Sequence, residues 1–151
     1  MRASFSRLIL FRPRPEFPLL PEWESRPWIP LGDLRPLLQA VSPVRDLSDI
    51  WRWVALPLSR ADVEAALMPL AGVTVRRVGD SCEEGTEHEH RDTKVSATIM
   101  PAEAEGAVER VELTPAGGLL MGSPSPEAVT VIMAAAAALR RSCGCVAVGI
   151  G

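Results

Sequence analysis

The residues best suited to chemistry are concentrated in one short stretch, SCEEGTEHEHRD, at residues 81–92. This stretch holds both histidines of the chain, one of its three cysteines and five carboxylates. Thiolates and imidazoles are ligands that zinc and other transition metals accept. On a strand, His88 and His90 would lie on the same side, and Cys82 or Glu84 could complete a tetrahedral set. One interpretation is therefore a transition-metal site made by Cys82, His88 and His90.

A solvated acidic loop explains the same stretch better. A run of charges around a turn-forming residue such as Gly85 is typical of exposed loops. We therefore expect a loop over residues 79–93 that presents its carboxylates to a partner protein with a basic surface. The carboxylates expected to make this contact are those of Glu83, Glu84, Glu87 and Glu89.

Signals for catalysis are weak. The cysteine and histidines of the acidic stretch are residue types that serve as a nucleophile and its general base. All of them come from one loop, however, whereas catalytic thiols are held on rigid elements. A cleft lined by Arg52, Arg76 and Glu112 is a further possibility. No phosphate-binding glycine loop, nucleophile elbow or zinc-protease motif is present in the sequence. The sequence therefore favours a protein that is not an enzyme.

Cys143 and Cys145 form a C-x-C pair where a helix is expected to meet a strand. That spacing could bind a soft metal or form a strained redox disulfide. The C-terminal end of a helix raises the pKa of a nearby thiol, which disfavours a reactive thiolate. We therefore expect two small buried cysteines on either side of a glycine that the turn requires.

Residues 12–30 hold six prolines, which remove backbone donors and fix φ. The segment is therefore expected to be extended or irregular, and its interspersed apolar residues favour an arm that packs onto the domain. Trp23 and Trp28 could anchor this arm in the core, or they could contact a partner, since tryptophan often dominates binding energy. Both are candidate partner-binding residues.

Composition excludes several classes of function. With 151 residues, 47% hydrophobic and 23% charged, the chain has the size and balance of one globular domain. No apolar run reaches the ~20 residues that a membrane span needs. The arginines are not interleaved with aromatic residues, so nucleic-acid binding is not expected. Three cysteines favour a reducing cytoplasm. The alternative is an organellar transit peptide at residues 1–15, where we favour a strand.

Helix and strand signals predict a single α+β domain over residues 1–151. Caps and apolar spacing predict helices that begin after Asp33, Ser59 and Ser125, and the last of them is apolar on nearly every side, so we expect it to be sandwiched. Strands are expected at residues 50–58, 73–78, 95–100, 107–113, 118–122 and 145–151. The predicted fold is a mainly antiparallel sheet of about six to seven strands with two to three helices. Its core is βαββαβ-like and follows an N-terminal strand and the Pro-rich arm.

The leading functional hypothesis is a cytoplasmic, non-enzymatic domain that binds another protein through the acidic loop and the Pro/Trp arm and needs no cofactor. In size and acidic character the chain is similar to bacterial toxin-neutralising immunity proteins, which exemplify this class of inhibitor. The alternative is a metal-binding protein or metal-dependent enzyme that holds zinc or another transition metal with Cys82, His88 and His90.

Overall fold

The structure is a computed structural model that describes residues 5–17, 21–41, 51, 54–67, 73–78, 85–90, 95–102, 105–115 and 125–150. The strands are β1 (Arg7–Pro13), β2 (Ile29–Pro30), β3 (Ala55–Leu56), β4 (Leu58–Ser59), β5 (Val73–Val78), β6 (Gly85–His90), β7 (Ser96–Pro101), β8 (Ala107–Thr114) and β9 (Val146–Ile150). The helices are α1 (Leu31–Val41), α2 (Arg60–Leu67) and α3 (Pro126–Cys143), with a 3-10 helix at Pro21–Ser25. None of the helices in the described ranges is long and apolar enough to cross a membrane.

Seven of the strands form one open sheet in the order β2-β9-β1-β8-β7-β6-β5, and the short β3 and β4 pair with β1 and β8. All neighbours in this order are antiparallel except β2 and β9, which are parallel. The predicted α+β class and mainly antiparallel sheet are therefore confirmed. The predicted N-terminal strand is confirmed as β1, an interior strand that lies between β9 and β8.

The side chains of β1 alternate between two hydrophobic clusters, one on each face of the sheet. Leu8 and Leu10 join the cluster formed with α2 and α3. Ile9 and Phe11 join the cluster formed with α1. Because consecutive residues of a strand point to opposite faces, α2 and α3 cover one face and α1 covers part of the other. We call these the helix-pair face and the opposite face.

The start and end of α3 match the sequence prediction. Ser125 Oγ accepts a hydrogen bond from the N–H of Ala128 at 3.2 Å, and Pro126 is the first helical residue. Gly144 ends the helix in the left-handed conformation, φ 65°, and donates its N–H to the carbonyl of Arg140. A glycine adopts this φ without steric cost, which explains its position after the last turn.

The expectation that α3 is sandwiched is wrong. Ile132 and Leu139 are fully buried, whereas Ala134 and Ala137 are exposed. Alanine favours the helical conformation and has only a methyl group to bury, so an alanine-rich helix can look apolar on every side and still lie at the surface. α3 therefore packs through one side on the helix-pair face.

The predicted strand at residues 50–58 is wrong at two of its described positions. Trp51 and Val54 are helical, and among the described residues of this stretch β3 and β4 are extended. Pro57 separates these two strands and has no N–H to give to a ladder. Trp51 is nevertheless buried, with its ring centroid 5.2 Å from that of Phe11. The apolar run therefore reflects burial and not the period of one strand.

The Pro-rich arm, residues 12–30, is more regular than predicted, since it contains the 3-10 helix and β2. Both accommodate proline, because Pro21 takes the first helical position and Pro30 ends a strand at the edge of the sheet. Phe17 and Trp23 are buried in the cluster with α1. The expectation that the arm packs onto the domain is therefore confirmed.

The acidic stretch is not all loop. Residues Gly85–His90 form β6, which pairs with β5 and β7, so the predicted loop over residues 79–93 is wrong in its central part. In the sequence GTEHEH glutamate and histidine alternate with the period of two that a strand requires. Backbone hydrogen bonding to strands on both sides outweighs the cost of placing a run of charged residues in a sheet. The remaining residues of the predicted loop, and the strand predicted at residues 118–122, lie outside the described residues.

Candidate functional site

The two glutamates of β6 lie between strands on both sides. Glu87 is opposite Arg76 of β5 and Thr98 of β7 in the register. Glu89 is opposite Thr74 of β5 and Ser96 of β7. The other two predicted contact residues, Glu83 and Glu84, and the predicted ligand Cys82 lie outside the described residues.

The register assigns positions 87 and 89 to the opposite face. Residues directly opposite each other in an antiparallel pair lie on the same side of the sheet. Ala97 and Ile99 are buried in the cluster with α2 and α3, so Thr98 between them belongs to the opposite face. Thr98 is opposite both Glu87 and Glu112 of β8. Glu87 and Glu112 therefore occupy one row across the face that α2 and α3 do not cover.

A cluster of ion pairs lies at the end of this row on β8, and we call it the Arg110 cluster. Arg110 Nη1 donates to Glu109 Oε1 at 2.9 Å, and Arg110 Nη2 donates to Glu112 Oε2 at 3.4 Å. Arg7 Nη1 of β1 pairs with Glu112 Oε1 at 3.2 Å. The side chains of Arg110 and Glu112 are only 13% and 14% exposed, whereas Arg7 is 46% exposed. The cluster is therefore largely buried at Arg110 and Glu112 and open to solvent at its Arg7 end.

One donor of the Arg110 cluster is unsatisfied. Arg110 Nε is buried and has no hydrogen-bond partner among the described residues. A buried guanidinium N–H without an acceptor is costly, and a pair of flanking carboxylates compensates its charge but not this donor. The cluster was missed from the sequence, although the opposite charges of Glu109, Arg110 and Glu112 within four residues of β8 are the signal that could have revealed it.

The opposite face of β5 to β8 is rich in charged and polar positions. In addition to the Arg110 cluster, the register brings Arg76, Glu87, Glu89, Ser96 and Thr98 to this side. A sheet face with polar residues at successive positions is suited to water or to a polar partner and not to a hydrophobic core. The described part of the charged stretch, β6, thus contributes two acidic positions to a wider charged face.

The two tryptophans of the arm are largely used in packing. Trp23 is 8% exposed and belongs to the cluster with α1. Trp28 is half-buried, and its ring meets that of Phe5 edge to face with centroids 5.2 Å apart. These contacts favour the core-anchor interpretation. Contact of either side chain with a partner stays a prediction. Trp28 is the more accessible of the two and therefore the better candidate for such a contact.

The two histidines occupy alternate positions of β6. His88 is opposite Val75 and Ala97, and His90 is opposite Val73. Positions 88 and 90 therefore share the helix-pair side of the strand, which is the arrangement that a two-histidine ligand set requires. Among the residues that the structure describes, no group of three His, Cys, Asp or Glu side chains could hold a metal ion. A site completed by Cys82 is untested, because that residue is outside the described ranges.

Cys143 and Cys145 are free and buried. Burial is the largest cause that raises the pKa of Cys143, Asp62 adds to it, and Arg12 acts in the opposite direction. Burial, followed by the neighbouring Cys143, raises the pKa of Cys145 to about 12, again with Arg12 opposing the rise. Thiols with raised pKa values are weak nucleophiles and weak metal ligands at neutral pH. The expectation of two small buried cysteines is confirmed.

The cleft considered for a small enzyme has only two of its three residues in the described ranges. Arg76 and Glu112 lie in the same row across the sheet, separated by Glu87 and Thr98 on the two strands between them. Arg52 lies outside the described residues. Their common row is part of the charged face, and a cleft completed by Arg52 stays a prediction.

Comparisons with known proteins add no assignment to this geometry: no family model matches the chain, and neither a curated protein nor a solved structure similar to it was found.

Proposed function

We propose that the protein is a non-enzymatic binding domain that contacts another protein through the opposite face of β5 to β8. The single observation that carries the proposal is the register of β6, which assigns positions 87 and 89 to this face. The partner would have a basic surface, because Glu87 and Glu89 are two acidic positions on one side of β6 and share this face with Glu112 of β8. Inhibitors of the immunity type are one example of proteins that act in this way.

The charge distribution supports this proposal. The Arg110 cluster lies on β8, two strands from the glutamate positions of β6, and its ion pairs hold charged side chains of this face in fixed positions. Fixed charges fit a complementary surface with little loss of side-chain freedom, and they steer encounter over distances that salt limits to about 10 Å at 0.1 M. In the arm, three arginines balance three glutamates, so it adds no net charge to the surface, and the buried Trp23 adds less to an interface than the sequence suggested.

Quantitative affinity capture with matched variants tests the proposal. Tagged full-length protein is compared with E87Q/E89Q and with the control E64Q/E127Q, which removes the same two charges from α2 and α3. Both Glu64 and Glu127 lie on helices that cover the helix-pair face. Captured proteins are identified and quantified by mass spectrometry, and the partner is then purified and bound directly.

The expected result is one partner whose capture falls at least about fivefold with E87Q/E89Q and is unchanged with E64Q/E127Q, since two interfacial charges are removed only in the first variant. Circular dichroism of all three proteins checks that they are folded. Equal capture of the same partner by all three would contradict the assignment to this face.

A second candidate function is metal binding by Cys82, His88 and His90. The observation that favours it is the strand conformation of β6, because it brings positions 88 and 90 to one side. Elemental mass spectrometry of the purified protein, beside the variant H88A/H90A, tests it. Stoichiometric zinc or another transition metal that is lost in the variant is the expected result. Metal-free protein after loading with zinc would contradict this candidate.

A further inference from the structure

The C-terminal end of α3 borders a cavity that the proposed protein-binding face does not include. The cavity has a volume of about 470 Å³, within the range of sites for small organic ligands. Pro13 of β1, Ala137 of α3 and Val146 of β9 give it an apolar wall. Arg140 and Arg141 of the last turn of α3 also line it.

A third arginine side chain, that of Arg12 of β1, passes along the border of the same cavity, and its charge acts on the lining residue Cys145. A β-carbon on Gly144, which lines the cavity, would lie 3.8 Å from Arg12 Cδ, so the Arg12 side chain passes beside this glycine. Arg12 Nη2 donates to the carbonyl of Pro57 at 2.5 Å, which fixes the position of the guanidinium group. A guanidinium has five N–H donors, and this bond uses one of them.

The charge around the cavity is mainly positive. None of its described lining residues carries a carboxylate, and the lining thiol of Cys145 is neutral at physiological pH because burial raises its pKa. Among the described residues, Asp62 contributes a negative charge near the cavity, since it raises the pKa of Cys143. The C-terminal dipole of α3 opposes an anion, but it amounts to about half a charge and is short-ranged. The charges of Arg12 and Arg141 alone outweigh one aspartate and this partial charge.

We propose that this cavity binds a small organic oxyanion, a carboxylate or a phosphate monoester. Its apolar part would pack against Pro13, Ala137 and Val146, and its oxygens would accept hydrogen bonds from Arg12 and Arg141. The planar guanidinium matches a carboxylate or phosphate with two parallel N–H···O bonds, which gives both strength and orientation. The combination of an apolar wall and a charged rim is the usual composition of a small-molecule site.

Titration of the full chain, followed by two-dimensional amide NMR, tests the proposal. The probes are benzoate, phenyl phosphate and the neutral benzyl alcohol. The variants are R141Q, which removes a guanidinium group from the rim, and R35Q, a control on the exposed side of α1. A third variant, A137L, fills the cavity while keeping every charge, and leucine is a good helix former, so α3 is preserved.

The expected result is saturable shifts of amides at residues 137–146 with at least one anion and none with benzyl alcohol. We expect R141Q to raise the dissociation constant about tenfold or more, because a charge-assisted contact is lost, and R35Q to leave it unchanged. A137L is expected to abolish binding. Whichever of benzoate and phenyl phosphate binds more tightly identifies the anion class.

Three results would overturn the proposal. One is the absence of saturable shifts with both anions. Another is equal binding of benzyl alcohol, which would make the cavity a purely apolar site. The third is an unchanged dissociation constant in R141Q or A137L, which would mean that the anions are attracted to the basic surface and not to the cavity.

Discussion

The ring of Trp28 packs directly on Gly149, since a β-carbon on residue 149 would lie 2.5 Å from Cε3 and 2.7 Å from Cζ3 of the indole. Phe5 closes the contact from the other side with its edge-to-face ring. β9 therefore carries glycine at the place where the arm crosses it, because any larger residue would displace the indole. This contact fastens the Pro-rich arm to the sheet.

Substitution of Gly149 by alanine is expected to destabilise the protein by about 1–3 kcal/mol, because the added methyl group overlaps the indole of Trp28. Urea unfolding measures the change. In the background of W28A the same substitution should cost less, since the overlapping ring is gone. An equal cost in both backgrounds would mean that the indole does not occupy this position.

The Arg110 cluster is expected to stabilise the fold. In R110M the carboxylates of Glu109 and Glu112, both largely buried, lose their shared cation, so unfolding free energy should fall by about 2 kcal/mol. The matched control is R60M, because the Arg60–Glu64 pair is exposed and should contribute less than about 0.5 kcal/mol. Similar values for the two variants in urea unfolding would show that the cluster has no structural role.

Two glycines are expected to respond to alanine with opposite signs. Gly144 has a φ of 65°, which is unfavourable for alanine, so G144A should destabilise by about 1 kcal/mol. Gly32 lies in α1, and nothing lies within 4 Å of a β-carbon there, so G32A should stabilise by up to about 1 kcal/mol. Thermal unfolding of both variants measures this difference, and the same sign for both would contradict the assigned backbone conformations.

The thiol of Cys145 is expected to make stability fall in alkaline solution. Its pKa is raised from 9.0 to about 12 on folding, so between these values the unfolded chain releases a proton that the folded chain keeps. Unfolding free energy should therefore decrease as pH rises from about 9 to 12, by at most about 1.4 kcal/mol per pH unit from this group. In C145A the decrease should be shallower. The chain has no tyrosine and a single lysine, so few other groups titrate there. Identical slopes would show that the thiol is accessible to water.

Elements bounded by strong local signals were predictable from the sequence. Ser125 with Pro126 marks the start of α3, Gly144 marks its end, and Ser59 marks the start of α2, where its Oγ lies 3.4 Å from the N atom of Asp62. A cap makes its hydrogen bonds within one turn of the chain, so the residues that stabilise a helix end are close together in the sequence and can be recognised there. α1 begins at Leu31, two residues before its predicted cap Asp33, and helix boundaries commonly differ by one or two residues.

The charged face was less predictable, because it depends on pairing between distant strands. Charge in residues 81–92 favoured a loop, and only pairing with β5 and β7 makes Gly85–His90 a strand. The row of Glu87, Thr98 and Glu112 exists through the register alone, which no single segment specifies. The cavity at the end of α3 likewise combines Pro13 with residues more than a hundred positions away, so it could not be derived from local spacing.

The most direct test of the proposed role is the affinity of the purified partner for the wild-type protein, for E87Q/E89Q and for E64Q/E127Q, measured by titration calorimetry at low and high salt. If the opposite face binds a basic surface, E87Q/E89Q should bind at least about fivefold more weakly at low salt and lose part of the salt dependence, while E64Q/E127Q should match the wild type. If all three proteins bind equally at both salt concentrations, positions 87 and 89 do not contact the partner and the assignment of the binding face is wrong.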